Sequence, residues 1–471
     1  MKKYYKFVAL LFTLCMFFAA PVEMEAKVNS SSEVTEKEKN EINQAKPELY
    51  FIPTSDPEKA DEVISQLKQG KSPETLGLIS SQKHSPRDQT LEQMNSEVKK
   101  NAVTIMEERT DKGKDSVMAN SITASDGDDW TPPSFQYDDI TFDSCVENEK
   151  AASGWIKNRY SQCWSSYVVY SDPAGCGPSW FPFGCDWVAF RVTVIANGYN
   201  GFRGVTYNYT IDDIDSDFDS KGWRRGSKVT LSTECDGISE TRDCIGADEN
   251  VTRTLANWES SSHYQFYITS EAPPITNNNK DQVSYMDMWP RITVDPPSQK
   301  YPPLTNDGPK ETIRMDSADY LFTPGFSKRE GAIFANFIPT FTYDMNDPYF
   351  NIMKEAFQHH KDALTSEGSL IPGKEPKPPL TRIYSAYDRE QYNKNTNAKN
   401  QACKNLNKPE GYECDEFPFA STYEGAGKGD GRFSVRYIPR DANNTHGRWL
   451  AAWYAYNRIL HKDSFYIGFR E

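Results

Sequence analysis

The sequence lacks long apolar segments beyond its first residues. The apolar run at residues 7–22 follows Lys2 and Lys3 and precedes the small residue Ala26. This run is short for a membrane span, and no later segment reaches the roughly 20 apolar residues of a transmembrane helix. The arrangement predicts a signal peptide over residues 1–26, and therefore a secreted protein with no stable membrane span after cleavage.

The cysteines lack C-x-x-C spacing and have no paired histidines beside them, which disfavours a zinc site. One of the nine, Cys15, falls in the predicted signal peptide, so eight remain in the mature chain. An even number in an exported chain is typical of disulfides. Because neighbouring cysteines would close short loops, we predict sequential pairing. The eight are Cys145, Cys163, Cys176, Cys185, Cys235, Cys244, Cys403 and Cys414.

Positive charge is scarce, since the formal net charge is −14. An acidic chain repels the phosphate backbone, which argues against nucleic-acid binding by the molecule as a whole. Residues 381–471 are the exception, because they carry 14 Lys and Arg against 11 Asp and Glu, a net +3, whereas residues 1–380 have a net −17. Nucleic-acid binding is therefore expected of the C-terminal segment alone.

Residues 27–129 contain few aromatic side chains and are rich in Ser, Glu, Lys, Asn and Gln. Such a composition cannot bury much apolar surface, so it predicts a disordered segment or pro-segment. A helix around "DEVISQL" is compatible with the pattern, but nothing there indicates a core.

Between residues 130 and 343 the sequence changes to aromatic and β-branched runs divided by Asn, Asp, Gly and Pro. In "DWVAFRVTVIANGYNG", Phe190, Val192 and Val194 alternate with polar residues, and Asn197-Gly198 is typical of a hairpin turn. We predict an all-β, sandwich-like accessory domain that is pinned by disulfides. It contains no recognisable catalytic group, and its ligand is unknown.

Residues 344–377 are predicted to form a helix followed by a Pro-rich linker. In "NDPYFNIMKEAFQHHKDAL", Met353, Phe357 and Leu364 can share one helical face. His359 and His360 are adjacent, so on a helix they point about 100° apart and make a poor metal pair. We assign these two histidines no role. A compact domain is expected over residues 378–471.

Two short strands and a helix are predicted in this last domain. The apolar "FPFA" follows Asp415 and Glu416, and "FSVRYIP" alternates apolar and polar residues. A Gly-rich connection joins them, and "NNTHGRWLAAWYAYNRIL" has helical periodicity with Asn at its entry as a cap. The predicted order is strand, loop, strand, helix.

This layout suits phosphodiester hydrolysis, which needs a base for water, a divalent cation and a positive charge near the phosphate. Carboxylate and amide oxygens suit magnesium, calcium or manganese. Arg436 on the second strand can make a forked contact with a phosphate.

The ordered motifs "CDEFPFASTYEGA", "SVRYIPRDANN", "GRW" and "NRIL" resemble the NucA/NucB family of secreted bacterial deoxyribonucleases. The resemblance covers about the last 95 residues. It implies a small α+β domain with a ββα core like that of His-Me finger nucleases, in which an acid replaces the histidine base. The implied substrate is DNA, and the implied cofactor is a divalent ion, Mg²⁺ or Mn²⁺ first and Ca²⁺ as the alternative.

Carried onto this sequence, the resemblance makes Asp415 the general base, with Glu416 beside it. Glu424 and Asn443 become the metal-site residues and Arg436 the phosphate contact. The family's Asp-Asn pair is stretched here to "DANN", so Asn444 is an alternative ligand. His446 could supplement the base, although a histidine in an exposed loop is more often only solvated.

The predicted function is thus a secreted, metal-dependent endodeoxyribonuclease with little sequence preference. A structural alternative treats Asp415 and Glu416 as surface acids and Arg436 as their salt-bridge partner. The rival function is a non-catalytic, surface- or glycan-binding protein with an inactive nuclease-like tail. Convergence of Asp415, Glu424 and Asn443 around one ion-sized pocket would separate the two. A further hypothesis is that the accessory domain inhibits the nuclease until proteolysis.

Overall fold

The structure is a computed structural model, and it describes residues 47–69, 71, 73, 75–80, 140–172, 186–214, 223–237, 243–297, 301–321, 329–347 and 350–470. The predicted signal peptide lies outside these residues, as does most of the segment 27–129. None of the helices in the described ranges has both the length and the apolar character needed to cross a bilayer.

The described strands and helices are named here in chain order. The strands are β1 (Glu48–Ile52), β2 (Ile79–Ser80), β3 (Trp155–Asn158), β4 (Ser161–Asp172), β5 (Asp186–Gly198), β6 (Gly204–Asp212), β7 (Lys228–Gly237), β8 (Asn250–Thr254), β9 (His263–Thr269), β10 (Ser284–Asp295), β11 (Leu304–Asp307), β12 (Glu311–Asp316), β13 (Gly331–Phe334), β14 (Thr340–Asp344), β15 (Leu380–Thr381), β16 (Tyr412–Phe417), β17 (Ser434–Pro439) and β18 (Ser464–Arg470). The α-helices are α1 (Pro57–Lys68), α2 (Phe142–Glu147), α3 (Trp223–Gly226), α4 (Leu255–Ser260), α5 (Phe350–Thr365), α6 (Arg389–Cys403) and α7 (Arg440–Tyr456).

Two antiparallel sheets make up the middle of the chain. Within the described residues, one sheet has the order β2-β1-β4-β5-β6-β9 with β3 on β4, and the other has β13-β12-β10-β7-β8 with β11 on β10. Side chains from both sheets, such as Phe190 on β5 and Leu231 on β7, belong to one buried hydrophobic cluster. The predicted sheet-rich middle region is therefore confirmed.

The prediction of a disordered segment without a core is wrong for β1 and α1, whereas the helix that the sequence allows around "DEVISQL" is present as α1. β1 pairs with β4 from Glu48↔Ser171 to Ile52↔Tyr167, and it is buried along most of its length. α1 is capped by Asp56 and packs Ala60 and Ile64 against this sheet. The apolar run "ELYFI" looks isolated in the sequence because its partner strand lies more than a hundred residues later.

Sequential disulfide pairing is confirmed for the described cysteines. The bonds join Cys145 to Cys163, Cys235 to Cys244 and Cys403 to Cys414. The remaining two, Cys176 and Cys185, lie outside the described residues.

The helix predicted within residues 344–377 is confirmed as α5, and it packs into the C-terminal core although the compact domain was expected to begin only at residue 378. Its buried face places Phe357 and Leu364 in one cluster with Trp449 and Trp453 of α7. The preceding strand β14 pairs in parallel with β18, from Thr340↔Tyr466 to Asp344↔Arg470, and β15 pairs with the other side of β18. An amphipathic helix buries its apolar face wherever a complementary surface exists, and here β14, β18 and α7 supply it.

β16 and β17 form a two-stranded antiparallel sheet with a register running from Tyr412↔Pro439 to Phe417↔Ser434. α7 follows β17 directly, with Pro439 at its N-cap and no side-chain cap bond. The expected Asn cap is therefore wrong, and Asn443 lies inside the first turn. Proline suits this start because its fixed φ, here −52°, is already close to the helical value.

The Gly-rich connection between β16 and β17 is held against α6 by Asn395. This buried amide donates to the carbonyls of Ala420 at 2.9 Å and Thr422 at 2.7 Å, and its oxygen accepts from the Gly427 backbone at 3.0 Å. A Cβ on Gly427 would lie 2.5 Å from the Asn395 backbone nitrogen, so only glycine allows this approach.

A charge network joins the sheet-rich region to the loop that follows α7. Asp463 accepts from Arg314 at 2.6 Å and from Arg159 at 3.3 Å, and Asp316 accepts from Arg458 Nε at 3.1 Å. The three arginines and Asp316 are buried.

Candidate active site around Asp415

Asp415 lies on β16, opposite Arg436 of β17, and is only 6% exposed. Its Oδ2 atom contacts two histidines of α5, His359 Nδ1 at 2.7 Å and His360 Nε2 at 2.9 Å. Both histidines are fully buried. The acid pair of the sequence is therefore internal, and the reading of Asp415 and Glu416 as surface acids is wrong.

The expected divergence of His359 and His360, for which we judged them a poor metal pair, is also wrong. His359 reaches the carboxylate with Nδ1, the ring nitrogen nearer the backbone, whereas His360 uses the more distant Nε2. This difference in reach lets adjacent side chains that leave the helix in different directions meet at one oxygen. The sequence signal is present in "HHKDAL", where two polar residues interrupt a face that Phe357 and Leu364 mark as buried.

Each histidine has an oxygen partner on its other ring nitrogen. His359 Nε2 lies 2.9 Å from Ser434 Oγ, and His360 Nδ1 lies 2.5 Å from the Tyr343 hydroxyl. That hydroxyl is in turn 2.8 Å from His446 Nε2. The relay, defined as these side chains together with Asp415, connects β14, α5, β16, β17 and α7.

Burial and the neighbouring side chains together set the protonation of Asp415, His359 and His446. Burial alone would raise the pKa of Asp415, but His360 and His359 outweigh it and hold that pKa well below its usual range. Burial lowers the pKa of His359, and burial with nearby His360 lowers that of His446 to about 3. Near neutral pH the carboxylate is thus ionised, while His359 and His446 are neutral.

For neutral imidazoles, one proton arrangement satisfies every bond. An ionised carboxylate can only accept, so His359 Nδ1 and His360 Nε2 donate to Asp415. The remaining nitrogens accept from the hydroxyls of Ser434 and Tyr343. The Tyr343 oxygen accepts from His446 Nε2.

Glu416, the next residue on β16, points to the opposite side of the strand, as successive strand residues do. Burial raises its pKa to about 8, so it is mostly protonated at neutral pH. Its Oε2 atom has no hydrogen-bond partner among the described residues. The two acids of the pair therefore occupy different environments and different protonation states.

Arg436 lies at the edge of this cluster. Its Nη2 donates to Asp362 of α5 at 2.8 Å, and the two side chains are 41% and 45% exposed. The guanidinium pairs with Asp362, and it is open enough to contact an incoming phosphate.

Glu424 and Asn443 have partners of their own. Glu424 Oε2 accepts from the backbone nitrogen of Thr381 at 2.8 Å, and burial raises its pKa. Asn443 Nδ2 donates to Glu413 at 3.1 Å. The metal roles of Glu424 and Asn443, and the alternative role of Asn444, stay predictions.

His446 is buried within α7, so the expectation of an exposed loop histidine is wrong.

His359, His360 and Asp415 have the composition of a metal site. Their ligand atoms all lie within 4.8 Å of one another. Among the described His, Cys, Asp and Glu side chains, Glu424 does not belong to this group. Two imidazole nitrogens and a carboxylate oxygen are a donor set that divalent metals accept.

Comparison with known proteins identifies the C-terminal region. No curated protein and no solved structure matches the chain. A family model described as Deoxyribonuclease NucA/NucB matches residues 373–468, a segment that includes Asp415 and His446 and begins after His360. The resemblance expected from the sequence motifs is thus confirmed, and the C-terminal region of this chain contains a domain of the deoxyribonuclease NucA/NucB family.

Proposed function

We propose that this protein is a secreted, metal-dependent endodeoxyribonuclease that hydrolyses phosphodiester bonds with little sequence preference. The observation that carries the proposal is the deoxyribonuclease family match over a segment whose buried acid, Asp415, lies in a metal-like group. The disulfides support export, since such bonds persist in oxidising compartments. Contacts with the sugar-phosphate backbone of DNA, which is the same for every base, would explain weak sequence preference.

The residues that fit a divalent ion best are His359, His360 and Asp415, because their ligand atoms already lie together. When bound, such an ion supplies Lewis-acid stabilisation of the phosphate and a more acidic water, which a weakly basic carboxylate such as Asp415 requires. Glu424 and Asn443 remain proposed ligands, and to act they would exchange their present partners for the ion.

Asp415 is proposed to accept the proton of the attacking water. Both histidines contact Oδ2, so Oδ1 is the oxygen assigned to this transfer. The histidines keep the carboxylate ionised and hold its orientation, which general base catalysis needs. Arg436 is proposed to leave Asp362 and bind the phosphate, where its charge opposes the developing negative charge. Glu416 is proposed to support the strand beside the base.

The first experiment is plasmid cleavage by the purified full-length mature protein with Mn²⁺, Mg²⁺ or a chelator. We expect metal-dependent nicking that falls at least about 100-fold in Asp415→Ala, as for loss of a general base. Asp61→Ala, on the exposed face of α1, is the matched control and should retain full activity. A folded wild-type protein that cuts neither double- nor single-stranded DNA with any ion would refute the proposal.

The second candidate function is the non-catalytic surface- or glycan-binding protein. The burial of Asp415 and its two histidine bonds favour it, because a substrate needs access to that carboxylate. Inactivity of the well-folded wild type in the same assay would support this alternative.

A further inference from the structure

We propose that His359, His360 and Asp415 form a binding site for a divalent transition ion of the Zn²⁺, Co²⁺ or Ni²⁺ class in preference to Mg²⁺ and Ca²⁺. We further propose that Tyr343 and His446 tune this site without touching the ion. The inference rests on the proposed function for its role in hydrolysis, but ion binding can be measured without DNA.

The chemical type of the ligand atoms determines which ions the site should prefer. Two of the three are imidazole nitrogens, which suit zinc, nickel and related ions, whereas Mg²⁺ and Ca²⁺ prefer sites made of oxygen. Two histidines and one carboxylate are also a known protein set for zinc that leaves a coordination position for water or substrate. The sequence motifs, by contrast, predict an oxygen-rich site at Glu424 and Asn443 suited to Mg²⁺ or Mn²⁺.

The spacing of the donors is close to what such an ion needs. The two histidine nitrogens lie 2.7 and 2.9 Å from Asp415 Oδ2. In a tetrahedral site, metal bonds of about 2.0–2.1 Å separate neighbouring ligand atoms by about 3.3–3.4 Å. An ion can therefore replace the two bridging protons if each histidine nitrogen moves away from Asp415 Oδ2 by roughly half an ångström.

The outer contacts of the imidazoles match those of metal-bound histidines. A ligand histidine normally donates its other N–H to an oxygen, which sets its tautomer and orientation. Ser434 Oγ is in place for His359 and the Tyr343 hydroxyl for His360, at 2.9 and 2.5 Å.

Ion binding would reverse the direction of the relay. For neutral imidazoles without an ion, His446 donates to Tyr343, Tyr343 donates to His360 Nδ1, and His360 Nε2–H donates to Asp415. With Nε2 bound to the ion, His360 must donate from Nδ1 to the Tyr343 oxygen, and Tyr343 then donates to His446 Nε2. The three groups hold the same number of protons in both states, so the relay accommodates the ion by changing tautomers.

The proposed ion site includes residues outside the segment that matches the family model. Both histidines precede residue 373, where the family match begins, and Tyr343 lies on β14 further upstream. The ion preference would therefore depend on residues that α5 and β14 bring to the matched domain.

The test is a titration of the chelator-treated, full-length mature protein with Co²⁺, followed by visible absorption. We expect one Co²⁺ per chain with a ligand-field band that Zn²⁺ removes and a thousandfold excess of Mg²⁺ does not. His359→Ala and His360→Ala should abolish the band. His263→Asn, which alters an exposed histidine on β9, should leave it unchanged.

Tyr343→Phe tests the role of the relay. It keeps all three ligands but removes the oxygen beside His360, so the affinity for Co²⁺ should fall about 10–100-fold. Should the alanine variants fail to fold, Asp415→Asn and the Zn²⁺-dependent rise in the melting temperature of the wild type supply the same information. A band that survives the ligand variants, a wild type that gains no thermal stability from Zn²⁺, or displacement of Co²⁺ by Mg²⁺ would overturn the inference.

The outcomes separate this inference from the proposed function. Selective Co²⁺ binding by a protein that cuts no DNA would sustain the site and refute the nuclease. DNA cleavage with Mg²⁺ by a protein that does not bind Co²⁺ at His359 and His360 would do the opposite.

Discussion

At the scale of single residues, Asp415 is defined by what surrounds it. A carboxylate buried without partners would be costly, and here two histidine donors satisfy it and favour its ionised form. Its neighbour Glu416 lacks such donors on Oε2 and has a raised pKa. These two acids are adjacent in the sequence, but their side chains lie on opposite faces of β16 and contact different groups. Asp415 is therefore ionised at neutral pH, whereas Glu416 is mostly protonated.

Arg436 allows a test that separates a phosphate contact from a structural ion pair. Arg436→Ala and Asp362→Ala both remove the same exposed pair, so each should change the free energy of unfolding by less than about 1 kcal/mol. Only Arg436→Ala removes the cation, and it should lower DNA cleavage by roughly 10²–10³-fold. Urea unfolding and plasmid cleavage measure the two effects. Equal activities for the two variants would count against the phosphate role.

At the scale of elements, α5 is the helix on which the candidate site depends. One face carries His359 and His360 toward Asp415, and the neighbouring apolar positions anchor it against β14, β18 and α7. Misplacing this helix would move both histidines at once.

The anchoring of α5 can be tested with one buried and one exposed residue. Phe357 is buried against Tyr343, Phe350 and Phe469, so Phe357→Ala should lower the free energy of unfolding by about 3–5 kcal/mol. Ile352 on the same helix is 48% exposed, and Ile352→Ala should cost less than about 1 kcal/mol. Denaturant unfolding measures both. Similar values for the two variants would mean that α5 is not anchored in the C-terminal core.

At the scale of the whole molecule, the sheet-rich region and the C-terminal region share the charge network around Asp463. Burial alone would raise the pKa of Asp463, but Arg314 and Arg159 outweigh it and lower that pKa. Arg458 and Arg314 likewise lower the pKa of Asp316 against its burial. Breaking one partner of a buried pair leaves the others uncompensated.

Asp463→Asn should therefore destabilise the protein by about 3–5 kcal/mol at neutral pH. A carboxyl whose folded pKa lies below its unfolded value stabilises the fold above that unfolded value, and the stabilisation is lost as the pH falls through the folded pKa. The wild type should thus lose stability below about pH 4, and the variant should lose less. Urea unfolding from pH 7 to pH 3 measures this. Asp307→Asn, in the exposed pair with Arg291, is the control and should cost less than about 1 kcal/mol.

The charge network around Asp463 and the packing of α5 also allow a prediction about whether the C-terminal segment folds alone. A fragment of residues 378–471 lacks β14, α5 and the arginine partners of Asp463, so it should remain unfolded, with no near-ultraviolet circular dichroism and a narrow amide proton spectrum. A folded, active fragment would contradict this and would show the nuclease to be autonomous. Higher activity of such a fragment than of the full chain would instead support inhibition by the accessory domain.

Much of the candidate site can be predicted from local sequence. The motifs around Asp415, the order of β16, β17 and α7 and the short-range disulfides all depend on residues close together in the chain, where periodicity, turn residues and spacing carry the information. The family resemblance likewise rests on ordered local motifs within residues 373–468.

The rest depends on pairings between distant segments. His359 meets Asp415 across 56 residues, His446 meets Tyr343 across 103, and Arg159 meets Asp463 across 304. Local sequence patterns do not indicate which distant residues will be in contact. Sequence by itself therefore determined the kinds of elements and the identity of the central acid. Only the tertiary structure decided that two histidines dismissed from their helical spacing surround that acid, because side-chain reach and the packing of α5 bring them to one oxygen.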